Sequence, residues 1–279
     1  MISIVMSCYN AQDTIEKAIR SVLDQSYKDI ELIVVNDCST DNSVEIVKSL
    51  MQNDSRIRLI NHNVNKGAGI ARRAGVENIK GEYMTFLDSD DYLKKNCLKK
   101  LYDAAKHYNV DIIAPGYIIV NTNYTVIDRR VPKKSIQTGS DKYKRNTEDT
   151  KRFMNPMLIK ASLWDNVTYS DRRFIEDTPT LVQILYYANS ILMLDYAGYY
   201  YVQNKDSLTH TCSSIKYEIF RLLALKDVLV FFNSVCEHIS YSIFINQYNN
   251  FLDMDITEEE YILYKKELDE LYEFYNSHV

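Results

Sequence analysis

Tyr83-Met84-Thr85-Phe86-Leu87-Asp88-Ser89-Asp90-Asp91 is a short apolar run that ends in three carboxylates. Asp88 and Asp90 are two residues apart, so an extended backbone points both side chains to one side. Two parallel carboxylates repel and need a counter-charge. Hard divalent ions such as Mg²⁺ and Mn²⁺ prefer oxygen ligands and bridge to phosphates, which makes this pair a candidate metal site. The plain alternative is a strand that ends in a polar loop, with Asp91 capping the next helix. Taken alone, D-x-D does not decide between the two.

The segments upstream repeat the pattern. Ile2–Met6, Glu31–Val35 and Ile57–Ile60 read as short buried strands. Between them, Asp13-Thr14-Ile15-Glu16 has capping-box spacing ahead of Ile15, Ala18, Ile19, Val22 and Leu23 at helical intervals. Asp41 is placed to cap a helix carrying Val44, Val47, Leu50 and Met51, and Gly67-Ala68-Gly69 opens another. Strands alternating with helices at this spacing predict an α/β fold with a mostly parallel sheet and right-handed crossovers. Ligands of such sheets bind beyond the carboxyl ends of the strands. Asn10, Asp37, the Asn63–Gly67 loop and Asp88–Asp90 all fall at those ends.

Beyond Asp91 the pattern changes. Leu98, Leu101, Ala104 and Ala105 mark a helix, Asp111–Ala114 a strand, and Tyr117–Asp128 an antiparallel pair. Arg129–Arg152 is rich in Lys and Arg and poor in large apolar residues, so it reads as a mobile loop, either a solvated surface or a contact for an anionic acceptor. Ile191–Leu194 and Tyr199–Val202 read as strands, and Ile215–Phe251 as apolar helix. Thr257–Tyr275 reads as an acidic amphipathic helix with Thr257 and Glu260 in a capping box. Three regions are expected: residues 1–115, 116–212, and a helical extension over 213–279.

Composition bounds the rest. A 279-residue chain can bury a sizeable core. Its net charge of −5 argues against a nucleic-acid footprint. Five cysteines without CxxC spacing fit reduced thiols rather than a disulfide framework or a zinc site. The first residues, Met1-Ile2-Ser3-Ile4-Val5-Met6-Ser7, lack a basic n-region, and no stretch reaches the roughly 20 apolar residues of a membrane span. The expected location is cytoplasmic, with peripheral contact at the inner face of a membrane open. Nine acids against two lysines in Asp253–Glu273 disfavour attraction to anionic lipid.

Four stretches in order resemble a family 2 glycosyltransferase of the GT-A fold: Ile2–Asn10, Glu31–Asp41, Asn65–Arg72 and Phe86–Asp91. The resemblance implies a Rossmann-like, mostly parallel central sheet flanked by helices. It also implies a nucleotide-sugar donor, most often UDP-linked, and inverting transfer to an acceptor hydroxyl in polysaccharide or glycolipid assembly. Carried over by position, Asp37 would meet the uracil, and Tyr9 and Asn10 would line the base and ribose. Lys66 and Arg72 would flank the nucleotide. Asp88 would touch the ribose and the water shell of a Mn²⁺ or Mg²⁺ ion, and Asp90 would ligate the ion. Ser7 and Arg73 depart from the commoner proline and asparagine.

Inverting transfer needs a base, and the resemblance points to Asp177 in Arg173-Phe174-Ile175-Glu176-Asp177-Thr178-Pro179. Thr178 is the expected cap and Pro179 the first helical residue. A helix dipole would favour the ionised aspartate, and Glu176 beside it would oppose this. Alternatively, both acids only decorate a helix start. His210 is either a further diphosphate or metal contact or a surface residue. Two other readings are a sugar-phosphate nucleotidyltransferase, which would carry a glycine- and base-rich first loop that is absent here, and a non-catalytic nucleotide-sugar-binding protein. A dinucleotide-binding protein would need GxGxxG after the first strand, which Ser7–Gln12 lacks.

Overall fold

The computed structural model describes residues 1–139, 154–170, 172, 175–203, 213–235 and 241–278. Its first part alternates as the sequence predicts: β1 (Ile2–Cys8), α1 (Ile15–Leu23), β2 (Ile30–Asn36), α2 (Ser43–Met51), β3 (Ile57–Asn61), α3 (Ala68–Val76) and β4 (Tyr83–Phe86). β1 pairs in parallel with both β2 and β4, and β2 with β3. β2 is buried along its whole length, which is why it reads as an unbroken apolar run. The two faces of β1 separate at period two. Ile2, Ile4, Met6 and Cys8 meet α1 in one core cluster, and Val5 belongs to another. α3 lies close over β1, so a Cβ at Gly75 would stand 2.3 Å from Val5 Cγ1.

The rest of the chain is β5 (Tyr92–Leu93), α4 (Cys97–Tyr108), β6 (Ile112–Asn121), β7 (Val126–Arg130), β8 (Ser135–Thr138), β9 (Leu158–Lys160) and a 3₁₀ helix (Ala161–Asn166). Then follow α5 (Asp177–Tyr187), β10 (Ser190–Gln203), α6 (Ser214–Ser234), α7 (Ser242–Leu252), α8 (Glu258–Leu263) and α9 (Lys265–Asn276). The sheet runs β3-β2-β1-β4-β9-β6-β10-β5, with β7 on β6 and β8 on β10. β9 is antiparallel to both β4 and β6, which joins the first half of the sheet to the second. The chain goes outward from β1 through β2 to β3 and then returns to place β4 on the other side of β1. This reversal opens a crevice at the carboxyl ends of β1, β2 and β4.

Several expectations need correction. Part of the basic segment is strand: β7 runs to Arg130, and β8 pairs antiparallel with the start of β10. Residues 140–152 of that segment, and His210, lie outside the described residues. The two strands expected over 191–202 are one, β10, with irregular register between Leu194 and Tyr199. The Asp13–Glu16 box does not form, because Thr14 Oγ1 donates to the Ala11 carbonyl and Glu16 pairs with Arg20. The box at Thr257 and Glu260 does form, but the helix breaks at Tyr264. Leu222, Leu223, Val228, Leu229 and Phe232 are all core. No helix of the described residues is long and apolar enough to cross a membrane.

Candidate active site

The loop after β1 turns at Asn10, which sits at φ 48, a left-handed conformation that asparagine tolerates. Its Oδ1 accepts from the Thr40 amide at 2.8 Å, and its own amide donates to Ser39 Oγ at 3.1 Å. The β1 and β2 loops are thus tied together, with Tyr9 half exposed beside them. Asp41 strengthens the tie, accepting from the Gln12 amide and from the Ser43 amide at the start of α2.

Asp37 follows β2 and is buried. Its carboxylate accepts from His62 Nδ1 at 2.8 Å, from the Lys66 amide at 3.0 and 3.1 Å, and from the Gly67 amide at 2.7 Å. One side chain therefore folds the whole β3–α3 loop against β2. Gly67 supports this with φ 93, a region that glycine enters without strain. Lys66 is left exposed on the tied loop. The sequence marked this loop but missed His62, whose only signal was its place just before Asn63.

Arg72, on the first turns of α3, is the centre of the site. Its Nη2 donates to Asp88 Oδ1 at 2.8 Å and its Nη1 to Glu176 Oε1 at 2.6 Å. Burial alone would lower the guanidinium pKa, but Asp88 and Glu176 outweigh it and raise it. Arg72 thus joins the D-x-D stretch to the Glu-Asp pair, which enters from far along the chain. Gly69, one turn earlier, makes the approach feasible, because a Cβ there would stand 2.6 Å from Glu176 Cγ.

Asp88 also accepts from Asn155 Nδ2 at 2.8 Å, and Asn155 donates to the Tyr199 hydroxyl at 3.1 Å. The Tyr199 hydroxyl in turn donates to Asp91 at 2.5 Å. Asp91, which also accepts from the Val202 amide at 2.7 Å, is therefore buried against β10 and does not cap α4. Burial, then the charges of Asp90 and Asp88, holds the Asp91 carboxyl well above the usual range. Asn155 and Tyr199 carried no sequence signal, since both join the site only through long-range packing.

Asp90 is different. Its side chain is exposed. Desolvation by the surrounding protein, then the Asp88 charge, pushes its carboxyl up to about 6. Among the described residues, no third His, Cys, Asp or Glu joins Asp88 and Asp90 in a metal-holding cluster. The two carboxylates are hard oxygen donors with acceptor capacity to spare, crowded by like charge. They fit a divalent ion whose remaining ligands are water or phosphate oxygens.

α5 begins at Asp177, with Glu176 as its N-cap residue, so Thr178 is not the cap. Pro179 falls third in the helix, where its missing N–H still costs no intrahelical bond. The residue before the pair, Ile175, has φ 54. A β-branched residue there stores about 1–3 kcal/mol of strain, a feature that clusters at active sites. Burial is the leading cause that raises the Asp177 carboxyl, with Arg72 opposing it and Asp88 adding to it. Burial also leads for Glu176, against Arg72. Neither the helix dipole nor the neighbouring glutamate is the dominant influence. Tyr169, stacked on Trp164, feels the charges of Arg72, Glu176 and Asp177, and its buried hydroxyl has no hydrogen-bond partner among the described residues.

The fold thus gathers Asp37, Arg72, Asp88, Asp90 and the Glu176–Asp177 pair around the carboxyl ends of the first strands. The family model "Glycosyl transferase family 2" matches residues 3–164. The chain belongs to that family. The glycosyltransferase GlyG of Streptococcus pneumoniae serotype 4 is 29% identical over 226 residues, 76% of this chain and 73% of that one. A Campylobacter jejuni GalNAc(5)-diNAcBac-PP-undecaprenol beta-1,3-glucosyltransferase is 27% identical over 223 residues, 78% of this chain and 70% of that one. The crystal structure of S. aureus TarS 1-349 in complex with UDP-GlcNAc superposes with a TM-score of 0.73 at 18% identity, covering 98% of this chain and 81% of that one. The fold is GT-A.

Proposed function

We propose that this protein is an inverting glycosyltransferase that moves a sugar from a UDP-sugar to the hydroxyl of a carbohydrate or lipid-linked acceptor in cell-surface polysaccharide or glycolipid assembly. The observation that carries the reading is the Arg72 bridge, which brings the donor-side Asp88 and the base-side Glu176 onto one guanidinium. UDP as the nucleotide is supported by the ligand of the TarS structure, and a lipid-linked acceptor by the name of the Campylobacter relative. We place the reaction in the cytoplasm, at the inner face of a membrane that the described helices do not cross.

In this reading Tyr9 and Asn10 line the base and ribose, and Lys66 faces the diphosphate from the tied loop. Asp37, whose carboxylate already accepts from His62, Lys66 and Gly67, shapes the loop that meets the uracil. Asp88 and Asp90 would hold Mn²⁺ or Mg²⁺, which supplies positive charge against the leaving diphosphate. Asp177 takes the proton of the acceptor hydroxyl as the new carbon–oxygen bond forms opposite the breaking bond to the diphosphate. Its raised pKa brings it closer to working pH, where a general base is most effective. Arg72, whose own pKa is raised by these carboxylates, sets a fixed positive charge between Asp88 and Glu176.

The test is a donor panel of UDP-, GDP- and TDP-sugars read by thermal shift with Mn²⁺ or Mg²⁺ and with EDTA, followed by Asp177→Asn. UDP-sugars should stabilise the protein in a cation-dependent way. Asp177→Asn should keep that shift and lose transfer by about 10²–10⁴-fold, the usual worth of a positioned base. Full transfer by the variant would remove Asp177 from the role. The absence of any donor shift would favour the non-catalytic alternative.

A further inference from the structure

The segment between the 3₁₀ helix and α5 delivers Glu176 and Asp177, and one charged residue within it points away from the cleft. Arg172 Nε donates to Asp227 Oδ2 at 2.5 Å, and its Nη2 donates to Asp227 Oδ1 at 2.8 Å and to Glu270 Oε1 at 2.7 Å. Asp227 lies on α6 and Glu270 on α9, so the fork closes on two helices of the C-terminal extension. Lys226 Nζ donates to the same Glu270 oxygen at 2.6 Å, and the four charges balance. All four side chains are at least two-thirds shielded from solvent. Burial would raise the Glu270 carboxyl, but its bonds to Arg172 and Lys226 prevail and hold it below the usual range. A planar guanidinium held bidentately by a carboxylate fixes orientation as well as position.

We propose that Arg172 is a positioning residue for the Glu176–Asp177 pair, and that the C-terminal helices set the geometry of the base through Asp227 and Glu270. The segment is secured at two other points. Gln183 on α5 exchanges two bonds with the backbone of Thr168, and Arg72 holds Glu176. Arg172 is the anchor between them, three residues before Ile175 with its positive φ. A left-handed β-branched residue persists only where the surroundings over-determine it. The extension is then part of the catalytic apparatus rather than a separate cap. The catalytic consequence rests on the proposed function, whereas the positioning itself does not.

Two measurements separate them. The first is hydrogen–deuterium exchange over residues 166–185 in Arg172→Gln, Asp227→Asn and Glu270→Gln, with Leu271→Ala as a control that loosens α9 without touching an ion pair. The three charge variants should exchange at least about tenfold faster there, with β2 and β3 unchanged. Leu271→Ala should accelerate exchange in α9 only. Unchanged exchange over 166–185 in the charge variants, or equal acceleration in Leu271→Ala, overturns the proposal. Asp227→Asn and Glu270→Gln keep the test open should Arg172→Gln not fold. The second measurement is UDP release from UDP-GlcNAc, UDP-glucose and UDP-galactose. Arg172→Gln should lower kcat by roughly 10- to 100-fold with donor KM within about twofold, the cost of a slightly misplaced group. If Asp177→Asn is inactive while Arg172→Gln keeps full turnover, positioning fails and the base assignment stands. If exchange rises as expected while Asp177→Asn stays active, positioning stands and the base assignment fails.

Discussion

On the side of the cleft proposed for the donor, Asp37 is held by a histidine and two backbone amides of a loop that follows the next strand. On the acceptor side, Glu176 is held by an arginine more than a hundred residues earlier in the chain. Around Asp37 the bonds run between neighbouring loops, and this corner needs no distant partner to be in place. The acceptor side is built from charge pairs between separate layers of the fold, with Ile175 in a strained conformation beside them. The contrast shows where the molecule is pre-formed and where it depends on its own assembly. In the proposed reading a nucleotide would meet loops already tied, whereas the base would be set only when α3, α5 and the extension are all docked.

The contrast can be broken by mutation. Arg72→Gln should have the largest effect. It strands the buried Glu176 and the part-buried Asp88 and should cost about 3 kcal/mol in urea unfolding, together with loss of the donor-induced thermal shift, because removing one partner of a buried pair leaves uncompensated charge. A stability loss no greater than that of a surface substitution would show that the two sides are not joined by this residue. Asp37→Asn should cost less, about 2 kcal/mol, since it weakens charged hydrogen bonds without isolating a charge. Its effect should appear in faster amide exchange confined to residues 62–67, and spread into α5 would contradict the local character of the donor side.

The smallest effect concerns Asp90. Its carboxyl titrates at about 6 in the folded protein, above the roughly 3.9 of an unfolded aspartate. The folded state therefore binds the proton more tightly. The resulting stability is present below pH 4 and is lost as pH rises through 6. At pH 7.5 Mn²⁺ should offset the crowded charge and raise Tm by about 2–4 °C, which corresponds to roughly 1 kcal/mol for a chain of this size. At pH 5 the proton competes and the rise should shrink. Asp90→Asn should raise the metal-free Tm slightly at pH 7.5 and abolish the response to cation. An equal response at both pH values would place the ion elsewhere.

The sequence made much of the donor side legible, and the reason is local. β1, β2 and β4 are buried on both faces, so their runs stand out, and the residues that close their loops follow directly after them. Asn10, Asp37, Lys66 and Asp88 could be placed at one sheet edge from that alternation alone. Arg72 was found as well, but its contacts were not, because both of its partners come from other elements. β8 escaped because Ser135-Ile136-Gln137-Thr138 is an exposed edge segment with no apolar alternation, and β9 because three residues carry no period. His62, Asn155, Tyr199 and Arg172 act through partners at least 25 residues away. The single helix read over 257–275 breaks at Tyr264, where the amphipathic pattern continues although the backbone does not.

The place of β9 has a consequence for synthesis. This three-residue strand sits between β4 and β6, yet it is made some 70 residues after β4 and about 40 after β6. Until the ribosome has delivered Lys160, the outer edge of β4 has no neighbour from this sheet. An unpaired strand edge beside apolar side chains is a template for unwanted pairing. The nascent chain therefore carries a nearly finished N-terminal half-sheet with one sticky seam. Its closure by Leu158–Lys160 marks the moment when the two halves become a single folding unit.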